Sequence, residues 1–272
     1  MNLDPVQEAA ALLAAAGLPA DELGILSEVA RGDAGRLLEL VRDRARGRPL
    51  ALLTGRVRFL GIDLEVHPGV LVPREETELL GRWAIDWLGS AAGEGDGLRA
   101  VDLCCGSGNL ACALAASLPS LHVWGADLSE LAVPLARRNA MRLGLAERVT
   151  ILKGDLLEPL ARLGLGGTID AMVCNPPYIS TGRLAREGAG LLAYEPREAF
   201  DGGPFGFAVH QRVAREAAEF LRPGSPLFME VGRGQDRQVN LLLQRAGHWT
   251  GIEWRADAGG VPRVVKAVRR PA

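Results

Sequence analysis

The chain has 272 residues, and 31 Lys plus Arg against 33 Asp plus Glu leave a net charge of −2. A balance so close to zero excludes a protein that coats nucleic acid or anionic lipid through bulk charge. With 48% apolar and 24% charged residues, the composition is that of a globular protein with a sizeable core, not of a disordered one.

The first elements are helical. Residues 9–16 are rich in Ala and Leu, Asp21 stands in a capping position before 22–30, and 35–46 carries Leu37, Leu38 and Leu40. Alternating residues on either side of Gly61, at 56–60 and 62–66, predict a β-hairpin that Pro68-Gly69 closes. A glycine-rich break over 89–97 then opens a different rhythm. Strands are predicted at 100–103, 123–127, 149–153 and 169–174, with helices at 110–118 and 130–143 between them. After an irregular stretch come a helix at 207–221, a strand at 226–231, a helix at 236–246 and strand-like pieces at 251–255 and 263–268. Strands alternating with helices predict a mostly parallel sheet covered on both faces.

The start, Met1-Asn2-Leu3-Asp4-Pro5, lacks the basic opening of a signal peptide, and no run approaches the ~18 apolar residues of a bilayer span. A cytoplasmic protein without a membrane partner is expected. Cys104, Cys105, Cys112 and Cys174 contain no C-x-x-C and lie in or beside apolar segments. They read as small buried residues, and neither a disulfide scaffold nor a metal site is expected. His67, His122, His210 and His248 lie outside the motifs and read as core or surface residues.

In an open α/β sheet, ligands bind beyond the carboxyl ends of the strands, at the switch in strand order. Cys104-Cys105-Gly106-Ser107-Gly108 follows the first strand of the sheet, and its glycines let the backbone turn sharply toward a ligand at a helix N-terminus. Asp127 ends the next strand, where an acid takes the hydroxyls of a ribose. The pair points to an adenosine-containing cofactor. The loop is not G-x-G-x-x-G and lacks the lysine of a P-loop, so neither NAD nor ATP is indicated. After the fourth strand stands Asn175-Pro176-Pro177-Tyr178, stiffened by two prolines and carrying one amide, exposed carbonyls and one aromatic ring.

Asn175-Pro176-Pro177-Tyr178 resembles the motif of S-adenosylmethionine-dependent methyltransferases that act on amide or exocyclic amino nitrogens. Four further segments narrow the resemblance: 69–78 (Gly-Val-Leu-Val-Pro-Arg-Glu-Glu-Thr-Glu), 195–203 (Glu-Pro-Arg-Glu-Ala-Phe-Asp-Gly-Gly), Glu230-Val231-Gly232 with Gln235, and 257–263 (Asp-Ala-Gly-Gly-Val-Pro-Arg). In this order, over about 48–270, they are similar to the HemK/PrmC family, which methylates the side-chain amide of glutamine in peptide-chain release factors.

The resemblance implies a seven-stranded class I methyltransferase sheet of Rossmann-like α/β type, over residues 73–272. It implies a helical substrate-recognition domain at 1–54 and a linking hairpin at 55–72. Cys104, Cys105, Gly106, Ser107 and Gly108 would wrap the methionine part of S-adenosylmethionine. Asp127, with Leu128 beside it, would hold the ribose, and Asp155 and Leu156 would flank the adenine. Asn175 would touch cofactor and substrate, with Pro176, Pro177 and Tyr178 lining the acceptor pocket. Arg74 and Thr77 would close the cofactor pocket from the side, against an alternative in which Thr77 caps a surface helix and Arg74 is solvated.

The chain departs from the family pattern at Cys104-Cys105, where glycine and a small residue are usual, at Glu75, where proline is common, and in a shorter N-terminal module. Three acceptors therefore stay open: the Gly-Gly-Gln loop of a release factor, a ribosomal-protein or natural-product amide or amine, and a nucleic-acid amino group. The last needs a target-recognition region of basic character, which the chain lacks, so no direct nucleic-acid partner is expected.

Overall fold

The computed structural model describes residues 4–91 and 97–271. The chain opens with α1 (Pro5–Ala15), α2 (Glu22–Ala30), α3 (Ala34–Ala45) and α4 (Leu50–Thr54). Pro5 sits in the first turn of α1, where its missing N–H costs nothing. Asp33 caps α3 by accepting the Arg36 N–H at 2.9 Å. These helices enclose their own small core around Leu13, Leu26, Leu37, Leu40 and Val41. Glu22, buried at its edge, takes both arms of the Arg44 guanidinium at 2.7 and 2.9 Å.

The hairpin follows as β1 (Arg56–Phe59) and β2 (Ile62–Glu65). Its two-residue turn holds Leu60 at φ 45° and Gly61 at φ 84°, the left-handed pair whose twist matches the strands. The glycine-rich break begins later than the sequence suggests, because α5 (Glu78–Ala91) runs through Gly89; residues 92–96 lie outside the described segments. That helix buries Leu80, Trp83, Ala84 and Leu88.

Then come β3 (Arg99–Leu103), α6 (Asn109–Ser117), β4 (His122–Asp127), α7 (Ala132–Arg142), β5 (Val149–Lys153), α8 (Glu158–Ala161) and β6 (Ala171–Cys174). The stretch after β6 is less irregular than expected, containing α9 (Thr181–Glu187) and α10 (Ala189–Leu192). The chain finishes with α11 (Ala208–Glu216), β7 (Pro226–Glu230), α12 (Asp236–Ala246), β8 (Trp249–Ala256) and β9 (Pro262–Arg269).

The seven strands run in the order β5-β4-β3-β6-β7-β9-β8, all parallel except β9, which is antiparallel to both neighbours. The central strands are buried throughout, as a sheet sandwiched between helices requires. Cores on the two faces are separate: one packs α5 and α6 around Leu80, Leu110 and Phe228, the other packs α11 and α12 around Val213, Val239 and Met229. Strand order reverses between β3 and β6, so the loops after these two strands meet at the switch point.

Candidate active site

A cleft of about 180 Å³ opens at that switch point, between the loops after β3, β4, β5 and β6 and the segment that enters α5. Its floor is the turn after β3. Cys104 takes φ 58° and Gly106 φ 53°, so the thiol occupies a left-handed position that suits glycine. Leu156, after β5, is likewise at φ 50°. Non-glycine residues in this region cost on the order of 1–3 kcal/mol each and gather at functional sites. A Cβ on Gly106 would meet nothing within 4 Å, whereas one on Gly108 would press on Ala136 at 3.0 Å. Gly106 therefore borders open space, and Gly108 permits close packing of α6 on α7.

Asp127 locks the floor in place. One carboxylate oxygen accepts the Gly106 N–H at 2.8 Å and the other the Ser129 N–H at 2.9 Å. Burial raises its pKa, against the pull of those N–H donors. Leu128 stands 66% exposed beside it, an apolar surface on the cleft rim. Asp155 also lines the cleft and binds Arg212 at 2.9 Å. The charged lining residues are Asp127, Asp155 and Glu198, with no lysine or arginine among the described residues.

A narrower recess of about 30 Å³ continues from the cleft, between Arg74, Thr77, Asp102, Cys104 and Asn175. Asp102 is buried there. Its Oδ2 accepts the Ala111 N–H at 3.0 Å, while Oδ1 has no partner among the described residues. Burial pushes its pKa up to about 8, the Ala111 N–H opposes the shift and nearby Asp127 adds to it. Arg74 pairs with buried Glu195, whose other oxygen accepts the Val72 N–H at 2.9 Å. Thr77 is 1% exposed. Thr77 is thus buried and caps no surface helix, Arg74 is ion-paired while a third exposed, and both line the recess.

The acceptor motif leaves β6 beside that wall. Asn175 Nδ2 donates to Thr77 Oγ1 at 3.0 Å, and Thr77 in turn donates to Glu230 Oε2 at 2.7 Å. Pro176 is buried, and Pro177 borders the cleft. Tyr178 faces a separate groove with Arg263, and its hydroxyl lies 3.4 Å from Glu230 Oε1. Burial raises its pKa. The 195–203 loop braces the motif: Ile179 N–H donates to Phe200 and Gly202 N–H to Ile179, both at 2.8 Å. Gln235 donates to the Tyr178 carbonyl at 2.9 Å. A Cβ on Gly202 would sit 2.7 Å from the Pro177 carbonyl, so only glycine lets the loop approach this closely.

Cys104, Gly106, Asp127, Leu128, Asp155, Leu156, Asn175 and Pro177 thus meet around one cleft, with Arg74 and Thr77 in its recess. The side chains of Cys105 and Ser107 do not reach it. Cys105 packs in the core beneath Gly125, and Ser107 is buried. Sequence reasoning missed Asp102, Glu195 and Glu230 as members of the site. An acid inside an apolar strand, as in Ala100-Val101-Asp102-Leu103, is the signal for the first.

The sheet order, the glycine turn after its first parallel strand, the acid after the second and the Asn-Pro-Pro-Tyr turn after the fourth define a class I S-adenosylmethionine-dependent methyltransferase. The sequence matches the methyltransferase small domain family over residues 91–190. The fold is shared with the N-terminal domain of human METTL16 in complex with SAH (TM-score 0.56, 15% identity, 85% of this chain and 82% of that one). It is shared too with a ribosomal protein L11 methylase from Lactobacillus delbrueckii subsp. bulgaricus (TM-score 0.53, 17% identity, 76% and 84%). Closer in sequence are release factor glutamine methyltransferases from Moorella thermoacetica (39% identity, 89% of this chain and 83% of that protein) and Gloeobacter violaceus (38%, 80% and 73%). The chain belongs to the release factor glutamine methyltransferase family.

Proposed function

We propose that this protein transfers the methyl group of S-adenosylmethionine to a glutamine side-chain amide in the Gly-Gly-Gln loop of a peptide-chain release factor. The observation that carries the reading is the Asn175-Pro176-Pro177-Tyr178 turn, held at the sheet's switch point beside an acidic cleft. The names of the relatives supply the acceptor.

The residues present fit the cofactor. A cleft with three acids and no basic residue suits a cation without phosphates and disfavours a nucleotide phosphate. Asp127 offers acceptors for ribose hydroxyls, Leu128 and Leu156 offer apolar surface for a purine, and the unpartnered Asp102 Oδ1 offers an acceptor in the recess for an ammonium group. S-adenosylmethionine, when bound, supplies a methyl group made electrophilic by its sulfonium.

An amide nitrogen is a poor nucleophile because its lone pair is delocalised into the carbonyl. Asn175 Oδ1 and the Pro176 carbonyl each accept one N–H of the glutamine amide. Holding both hydrogens fixes the nitrogen and aims its lone pair out of the amide plane, an orientation effect. The same oxygens stabilise positive charge arriving on nitrogen in the transition state. The methylated amide is acidic enough to release its proton to water, so the site needs no strong base. Histidine is absent from the described residues that line the cleft and its recess. Residues 1–54 are read as the substrate-recognition domain, joined by the hairpin at 55–72 to the catalytic domain at 73–272, and the reaction is placed in the cytoplasm, where translation occurs.

The test uses purified protein, radiolabelled S-adenosylmethionine and release factors from the same host, offered with and without the Gly-Gly-Gln glutamine replaced by alanine. Label on the first alone supports the reading. Label on neither, with cofactor binding measured by calorimetry, overturns the acceptor and leaves the methyltransferase.

A further inference from the structure

The acceptor turn depends on which way the Asn175 amide faces. An amide offers an acceptor at one end and two donors at the other, and only the acceptor end receives the N–H groups of a glutamine. The structure fixes that choice through residues far apart in sequence. Thr77 has one hydroxyl proton and directs it at Glu230 Oε2. Its oxygen therefore presents only lone pairs to Asn175, and Nδ2 is the end that turns toward it. Oδ1 is left without a partner among the described residues.

We propose that Glu230 is a positioning residue which, through Thr77, sets the polarity of the acceptor site by holding Asn175 with Oδ1 toward the substrate amide. This rests on the glutamine-methylation reading and deepens it. As a carboxylate, Glu230 only accepts, so the relay runs one way. As a neutral acid it donates to Thr77, Thr77 donates onward, and the Asn175 amide turns over. Two N–H donors then stand where two substrate N–H groups must be received, and the site rejects its acceptor.

The groups facing Glu230 bear on when that happens. Thr77 Oγ1 meets Oε2; the Tyr178 hydroxyl at 3.4 Å and the Arg263 guanidinium at 3.6 Å meet Oε1. Glu76 and the Cys174 thiol lie near enough to interact electrostatically, and His210 binds the Glu230 main-chain carbonyl at 2.9 Å. Burial raises the Glu230 pKa, Thr77, Arg263 and Tyr178 lower it, and Glu76 raises it. Glu230 protonates as pH falls, so the relay fails on the acid side. Asp102 ionises as pH rises, which separates its effect from that of Glu230.

The test measures methyl transfer against pH for the full-length protein and for Glu230→Gln, Thr77→Val and Thr77→Ser, with S-adenosylhomocysteine binding followed by calorimetry. The amide introduced by Glu230→Gln both donates and accepts, and the isopropyl group introduced by Thr77→Val does neither. Both variants are expected to lose about 10- to 100-fold in kcat, and Glu230→Gln, whose side chain lines neither the cleft nor its recess, binds S-adenosylhomocysteine within about threefold of the parent. Glu230→Gln also loses the acid limb of the profile, and Thr77→Ser recovers most of the rate that Thr77→Val loses. A second readout needs no methyl acceptor. The chain has five asparagines, so ¹⁵N-asparagine labelling resolves the Asn175 side-chain amide, assigned with Asn175→Asp, whose signals shift in Thr77→Val and Glu230→Gln. Undiminished kcat in either variant, a persisting acid limb in Glu230→Gln, Thr77→Ser as slow as Thr77→Val, or an unmoved Asn175 amide overturns the proposal. If no release factor is methylated, the amide spectrum still decides the relay.

Discussion

Asn139 holds the main chain of Glu65 with both ends of its side-chain amide, Oδ1 accepting the N–H at 2.8 Å and Nδ2 donating to the carbonyl at 3.0 Å. The same Nδ2 donates to the Ser107 carbonyl, also at 3.0 Å. One fully buried asparagine on α7 thus ties the hairpin strand β2 to the turn that floors the cleft. Asn139→Ala leaves three main-chain groups without partners. A loss of about 3 kcal/mol is expected, or roughly 5–10 °C in melting temperature. S-adenosylhomocysteine affinity should fall severalfold in the same variant. Unchanged melting together with unchanged affinity would refute the tie.

Asn175→Ala separates orientation from binding. Cofactor affinity is expected to stay within about tenfold, because Asp127 and the β3 turn remain, while turnover falls by about 10² or more. Calorimetry and single-turnover labelling measure the two quantities independently. Turnover close to the parent's would remove Asn175 from the mechanism.

Asp102 places stability and binding in opposition. Its folded pKa of about 8 lies above the 3.8 of an ordinary aspartate, so the unfolded chain releases this proton first. The group's contribution is complete at low pH and is lost as pH rises from about 4 toward 8. Asp102→Asn removes that loss and should stabilise the free protein at pH 7 by on the order of 2 kcal/mol. The same change removes the carboxyl that can ionise when an ammonium group enters the recess, and S-adenosylhomocysteine binding should weaken about tenfold or more. Chemical denaturation and calorimetry test the two signs; a variant both less stable and equally avid would contradict both.

His210 acts with the opposite sign. Burial lowers its pKa to about 4, with the Glu230 carbonyl opposing the shift, so the folded protein keeps it neutral while the unfolded chain takes a proton near 6.5. Its contribution is complete above about pH 6.5 and is lost as pH falls toward 4, by up to roughly 3 kcal/mol. Glutamine keeps a donor but does not titrate. The stability difference between the parent and His210→Gln should therefore change across that window and stay flat above it. A parallel pair of curves would show that His210 does not titrate with folding.

The sheet was legible because its strands are short runs of Val, Leu and Ile separated by helical segments; β5 occupies the predicted residues, 149–153. The hairpin was legible because Gly61 marks a left-handed turn. By contrast, α5 was hidden by its own glycines. A Cβ on Gly81 would collide with the Leu60 side chain, so this glycine serves a tertiary contact that no local pattern reveals. In the site, the turns after β3, β4 and β6 could be placed from topology, whereas Asp155, Leu156, Arg74 and Thr77 came only with the family resemblance. The Asn175–Thr77–Glu230 relay could be placed by neither, since its partners stand 98 and 153 residues apart and meet only when α5 docks against β6 and β7.

Cys104 is the one partly exposed cysteine of the four, the others being buried. It lines both the cleft and the recess. An alkylating probe therefore has a single accessible address on the folded protein, and anything seated in the cleft shields it. The rate of labelling becomes an occupancy gauge, able to rank cofactor analogues before any methyl acceptor has been supplied.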